Sequence, residues 1–147
     1  MAVTFENNWL YVIERLRALL RTEFSSSLPV YIGHNNKNVS SQYLRLDPNN
    51  SSLLEYASFS ETREFNINIL YYSSVKDIEK PALDNAMRIV SRIEALIHDN
   101  ITMTLPDTNS TTIHDCKIES SEFDTEEEED KYVVTMSFNC KHIGNVA

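Results

Sequence analysis

The chain has 147 residues, 13 of them basic and 22 acidic, for a formal net charge of −9 at pH 7. That length suits one domain, taken here as 1–147, and the acidic balance argues against a protein built to grip nucleic-acid phosphates. With 2 glycines, 4 prolines and 2 cysteines, collagen-like, Gly-rich phosphate-cradling and disulfide-scaffold designs are excluded as well.

Residues Thr4 to about Thr22 place Trp9, Val12, Ile13, Leu16, Leu19 and Leu20 at helical spacing. They predict an amphipathic helix with Thr4 as N-cap and Ser25-Ser26-Ser27 as its stop. Arg15, Arg17 and Arg21 flank the apolar stripe. A solvated face is the expectation for them, and a phosphate or carboxylate partner the alternative. Met1 to Leu10 lacks the basic start and apolar run of an export signal, and no apolar stretch nears the roughly 18 residues that span a bilayer. A cytosolic setting with reduced thiols, and no membrane partner, is expected.

Pro29 to Ile32 predicts a first strand, with proline at its start. After a polar connector, Gln42 to Leu46 predicts a second, with Tyr43 and Arg45 on one face and Leu44 and Leu46 on the other. Asp47 to Ser52 is dense in turn formers and predicts an exposed loop. Leu53 to Phe59 allows one more short strand. Arg63 to Tyr72 alternates most clearly, with Phe65, Ile67, Ile69 and Tyr71 on one face.

Pro81 opens a second helix whose stripe is Leu83, Met87, Val90, Ile93 and Ile97, flanked by Ala86 and Leu96. Asp99-Asn100 ends it, and a loop around Pro106 follows. Ile113 to Ser121 and Lys131 to Lys141 both alternate and predict a hairpin. The run Glu126, Glu127, Glu128, Glu129, Asp130 repels itself and predicts the hairpin tip. The sum is an α+β fold: two helices packed on one face of a mainly antiparallel sheet, in the order α-β-β-(β)-β-α-β-β.

His114-Asp115-Cys116 and Cys140-Lys141-His142 are mirror images across this hairpin. If Cys116 faces Cys140, then His114 faces His142 and Ile118 faces Phe138, so that two cysteines and two histidines line one patch. Cys2His2 is a common zinc set. Flat strands do not converge ligands as knuckles do, however, and the same face carries Ile118, Met136 and Phe138. Reduced, buried, metal-free thiols with histidines at the rim are the expectation; zinc or a cross-strand disulfide are the alternatives. The acidic tip lacks the spacing of a calcium loop, so a solvated end is expected. Its functional alternative is a surface that repels DNA from a ring lumen. No nucleophile-elbow, zinc-protease or phosphate-loop motif is present, so neither an enzyme nor a cofactor is expected. The tyrosines at 31, 43, 56, 71 and 72 suit core packing and subunit contacts better than base stacking.

Along almost its whole length the chain resembles the tail terminator proteins of tailed bacteriophages, the family of lambda-type tail-end and tail-completion proteins. The resemblance is carried by the opening helix Phe5 to Leu20, Leu28-Pro29-Val30-Tyr31 entering the first strand, and the strand Phe65 to Tyr71. The helix Ala82 to His98 and the last strand Tyr132 to Phe138 complete it. It implies no catalytic residues. It implies a homo-oligomeric ring of six subunits that caps the tail tube, stops its polymerisation and joins it to head-connector or neck proteins. The implied partners are therefore the tail tube protein, those neck proteins and, in a contractile tail, the sheath. The implied location is the tail-neck junction of a virion assembled in the host cytoplasm, without specific nucleic-acid binding. Leu44, Leu46, Leu53, Leu54, Leu70 and Tyr72 exceed what one sheet face and two helices need. With Tyr43 they are the candidate subunit contacts. A head-completion or neck adaptor is the nearer alternative. A small binding module using the His/Cys patch as a metal site is the alternative from another class.

Overall fold

The structure is a computed structural model that describes residues 7–25, 28–33, 42–57, 60–74, 80–107, 111–126 and 131–145. Its elements run α1 (Asn8–Phe24), β1 (Val30–Ile32), β2 (Gln42–Tyr56), β3 (Ser60–Ser74), α2 (Lys80–Asp99), β4 (Met103–Thr104), β5 (Thr112–Glu126) and β6 (Lys131–Asn145). The six strands form one sheet in the order β1-β2-β3-β6-β5-β4. The α+β class with two helices holds, but the sheet is mixed, because β1 runs parallel to β2 with Val30 beside Leu44. Side-chain alternation reports which face a residue takes and is silent on strand direction.

Helix α1 buries Val12, Ile13, Leu16, Leu20 and Phe24, with Trp9 and Leu19 packed at the margin of the core. Its cap is Asn7, whose side chain accepts from the Leu10 N–H, in place of the expected Thr4, which lies outside the described residues. Ser25, at φ 53, ends the helix and donates its N–H to the Arg21 carbonyl. In α2 the buried line is Ala86, Val90, Ile93 and Ile97. Met87, expected in that stripe, is exposed instead. Ala86, expected at the flank of the stripe, lies within it. The helices are tied together at one end by Arg92, which pairs with Glu23 at 2.7 Å and lies over the Phe24 ring at 4.7 Å.

The helix-facing side of the sheet is apolar through the middle of β3 and β6 and at the start of β2. Leu44 and Leu46 meet Tyr71 and Ile69 across β2 and β3. Phe65, Ile67, Ile69 and Tyr71 meet Cys140, Phe138, Met136 and Val134 across β3 and β6. Each fully buried side chain of this size adds about 1.5–3 kcal/mol. Leu44 and Leu46 are wholly enclosed in the chain's own core, and this removes them from the candidate subunit contacts. Tyr71 keeps its ring in the core and its hydroxyl at the margin, donating to Gln42 Oε1 at 2.8 Å. Burial pushes its pKa up.

Two expected boundaries move. Asp47 to Ser52 continues β2 instead of looping out, with a register shift between Pro48 and Asn50 and another between Leu53 and Glu55. Beyond Leu46 the strand loses β1 as a neighbour, and an outer edge tolerates proline and bulges. The expected short strand from Leu53 is therefore the far end of β2. The loop around Pro106 also begins with two-residue β4, paired to Ile113 and Thr112.

Candidate functional site

The mirror-image His/Cys segments meet in the β5–β6 hairpin, but not in the expected register. Ile118 does face Phe138, and Lys117 faces Asn139. Between Lys117 and His114 the register slips by one, so His114 faces Lys141 and Ile113 faces His142. The cause is a bulge at Asp115, whose φ of 54 is rare for a residue with a Cβ. Cys116 N–H leaves the hairpin ladder and donates to the Ile101 carbonyl at 3.0 Å. One extra residue moves every side chain before it to the other face. His142, Cys116 and Cys140 thus stay on the core side, while His114 turns to the opposite one.

Cys116 and Cys140 are buried free thiols. The Cys140 thiol is held far above its ordinary pKa, first by its hydrogen bond with Cys116 and then by burial, so it is not a ready thiolate. Among the described residues no group of three or more His, Cys, Asp or Glu side chains is placed to hold a metal ion. On the outer side of the bulge Asp115 bonds Lys141 at 3.0 Å and lies 3.7 Å from Lys117. Lys141, then Lys117, lowers its pKa.

His142 has acquired partners that its own segment does not announce. Its Nε2 is 2.9 Å from Thr111 Oγ1, and Thr111 donates that hydroxyl to Asp107 Oδ2 and its N–H to Asp107 Oδ1. A hydroxyl that donates to Asp107 accepts from histidine, which assigns the proton to Nε2. Phe65 meets the imidazole edge-on at 6.3 Å. With 3% exposure, His142 is enclosed; burial lowers its pKa, against an opposing pull from Asp107. The Asp–Thr–His chain clamps the segment after β4 onto β6. Asp107 and Thr111 were not legible as its partners, because only the fold brings them to the hairpin.

The sheet face away from the helices carries several of the functional candidates. Tyr43 and Tyr72 stack at 4.9 Å with 13° between their planes, and Tyr31 meets Tyr43 edge-on at 5.8 Å. Arg45 lies 5.3 Å over the Tyr72 ring while pairing with Asp47 at 2.8 Å. Beside them runs a polar ladder: Asn139 donates to Glu64 at 2.6 Å and to Asn66 at 2.8 Å, and Asn66 donates to Asn50 at 2.7 Å. Tyr43, Leu70 and Tyr72, expected at subunit contacts, are half-buried on this face. Leu53 and Leu54 are exposed at the far end of β2, together with Tyr56 and with Ile143 of β6. That sheet end therefore presents four large apolar side chains to solvent.

A second feature lies at the opposite edge, between α1 and β1. Arg17, Arg21, Ser25, Leu28, Val30 and Tyr31 line a cleft of about 260 Å³. Arg17 is positioned by donating to the Val30 carbonyl at 3.2 Å. Of the acidic tip, Glu126 is the last residue of β5, its backbone opposite Lys131. Glu127, Glu128, Glu129 and Asp130 lie outside the described residues.

No protein-family model matches the chain, and no curated protein matches it. Among solved structures it is similar to a chain of the virion of a native gene transfer agent particle. The two share 12% sequence identity and a TM-score of 0.61, over 88% of this chain and 84% of that one. A second solved chain, whose name describes no activity, is 14% identical with a TM-score of 0.56, over 93% of each chain. At these identities the likeness is one of fold. The chain thus shares its fold with a chain of that gene transfer agent virion.

Proposed function

We propose that this protein is a structural component of a tailed phage or phage-like particle, working without catalysis as a tail terminator. In this reading it forms a ring of six copies that caps the tail tube, stops tube growth and presents a surface to the head connector. The observation that carries the reading is the fold shared, over 88% of this chain, with a chain of the gene transfer agent virion. The surfaces agree with it. A single layer of two helices leaves the other sheet face, with its tyrosine stack, to be covered by neighbours, and leaves Leu53, Leu54, Tyr56 and Ile143 exposed at one sheet end. A head-to-tail contact closes into a ring when its rotation permits. The His142–Thr111–Asp107 chain, with His142 buried, serves stability in this reading.

The test adds purified protein to polymerising tube protein, or to tails that lack their end protein. Tubes of fixed length that then join heads support the terminator role. Tubes of uncontrolled length that still fail to join heads contradict it. Normal tubes combined with restored head closure would identify a head-completion or neck adaptor instead.

A further inference from the structure

The negative charge of this chain is not spread over it. Twelve positions, 119–130, hold eight acidic residues and no basic one, so they carry −8 of the overall −9 and leave −1 on everything else. Positions 119–126 of the segment are the distal half of β5, and 127–130 lie outside the described residues. Among the described residues β4 covers only Thr112 and Ile113, which leaves β5 from Lys117 onward as an outer edge of the sheet. Glu119 and Glu122 are exposed there, and between Glu122 and Asp124 stands Phe123, a large apolar side chain 43% exposed. Glu122, opposite Thr135, and Phe123, opposite Val134, take the two faces of this edge, which therefore carries an exposed aromatic on one side and a carboxylate on the other.

The other edge of the same sheet offers its complement. The cleft between α1 and β1 has an apolar floor of Leu28 and Val30 and a rim of Arg17, Arg21 and Tyr31. Among the described residues Arg21 has no ion pair, and Arg17 has only a long one, 3.9 Å to Glu14. Strands β1 and β5 are four strand spacings apart, about 19 Å, so the arm cannot reach the cleft of its own chain. We propose that the acidic β5 edge of one copy docks in the arginine-rimmed α1–β1 cleft of the next, with Phe123 on one face of the strand meeting the apolar floor and Glu122 on the other paired with the rim arginines. Surfaces on opposite edges make the contact head-to-tail, which is the kind that builds a ring. It rests on the reading of this chain as a self-assembling ring protein and supplies that ring's contact.

The experiment is a charge swap read by sedimentation velocity up to about 100 μM protein. Arg21 and Glu122 are both exposed, so Arg21→Glu and Glu122→Arg each spare the fold, which circular dichroism checks. Each variant alone is expected to associate at least tenfold more weakly than the unaltered chain. Their equimolar mixture, in which arms and clefts are again complementary, recovers most of the loss, and Phe123→Ser loses association without recovery. Unaltered protein that stays monomeric throughout, variants that associate normally, or a mixture that recovers nothing would each overturn the contact. The two readings fail separately: variants that associate normally and still cap tubes sink the contact alone. Protein that assembles through this contact but never caps a tube sinks the terminator role alone.

Discussion

His142 stands across the sheet from Ile113, not from His114. A one-residue bulge at Asp115 makes that difference, and it converts an apparent metal patch into a core edge. The account therefore expects metal independence. Chelator should leave the melting temperature unchanged, and elemental analysis should find well under one zinc per chain. A stoichiometric zinc that Cys140→Ser removes would contradict the bulge's consequence.

The His142 clamp makes stability depend on pH in a stated direction. Burial lowers its folded pKa below the ordinary 6.5, so the unfolded chain takes up a proton that the folded one refuses. The stability due to neutral His142 is therefore complete above 6.5 and is lost as pH falls through the lower, folded pKa. Urea midpoints measured downward from pH 7 should fall, and His142→Phe should flatten that part of the profile.

Thr111→Val tests the same chain from its middle. It keeps the shape but strips the His142 donor and the Asp107 acceptor of their shared partner. The expected cost is about 1–3 kcal/mol, read from denaturant unfolding.

Leu44 and Leu54 lie ten residues apart on one strand and answer to different forces. Leu44→Ala empties a site in the core and should cost about 2–5 kcal/mol of folding stability. Leu54→Ala, at the exposed strand end, should change stability by no more than about 0.5 kcal/mol. Any defect it causes should appear in assembly on tubes.

Replacing Glu126 to Asp130 with Ser and Gly should leave the melting temperature nearly unchanged, since like charges held together gain nothing from being ordered. A large drop would mean that the run is docked on its own chain.

Much of the architecture was legible because alternation and helical spacing are strong where one face meets a core. The strand around Ile67, the stripe Val12 to Leu20 and the hairpin in which Ile118 faces Phe138 all follow from that. What escaped has common physical causes. Asp47 to Ser52 has the composition of a turn yet lies on an outer edge, where proline and a bulge are tolerated. Strand direction leaves no trace in alternation, which hid the parallel β1–β2 pair. Asp115 adopts a positive φ that its residue type does not announce, and this one residue moved His114 off the candidate site. Leu44 and Leu46 read as more than one sheet face and two helices need, yet the helix-facing side of the six-stranded sheet takes both into the core.

The central claim is that copies of this chain close as a ring on the end of a tail tube. Negative-stain imaging of purified protein mixed with bare tubes tests it most directly. A terminator ring gives extra density at one tube end, with sixfold symmetry in end-on views and nothing bound along the shaft. Bare ends, or protein decorating the sides of the tube, would contradict it.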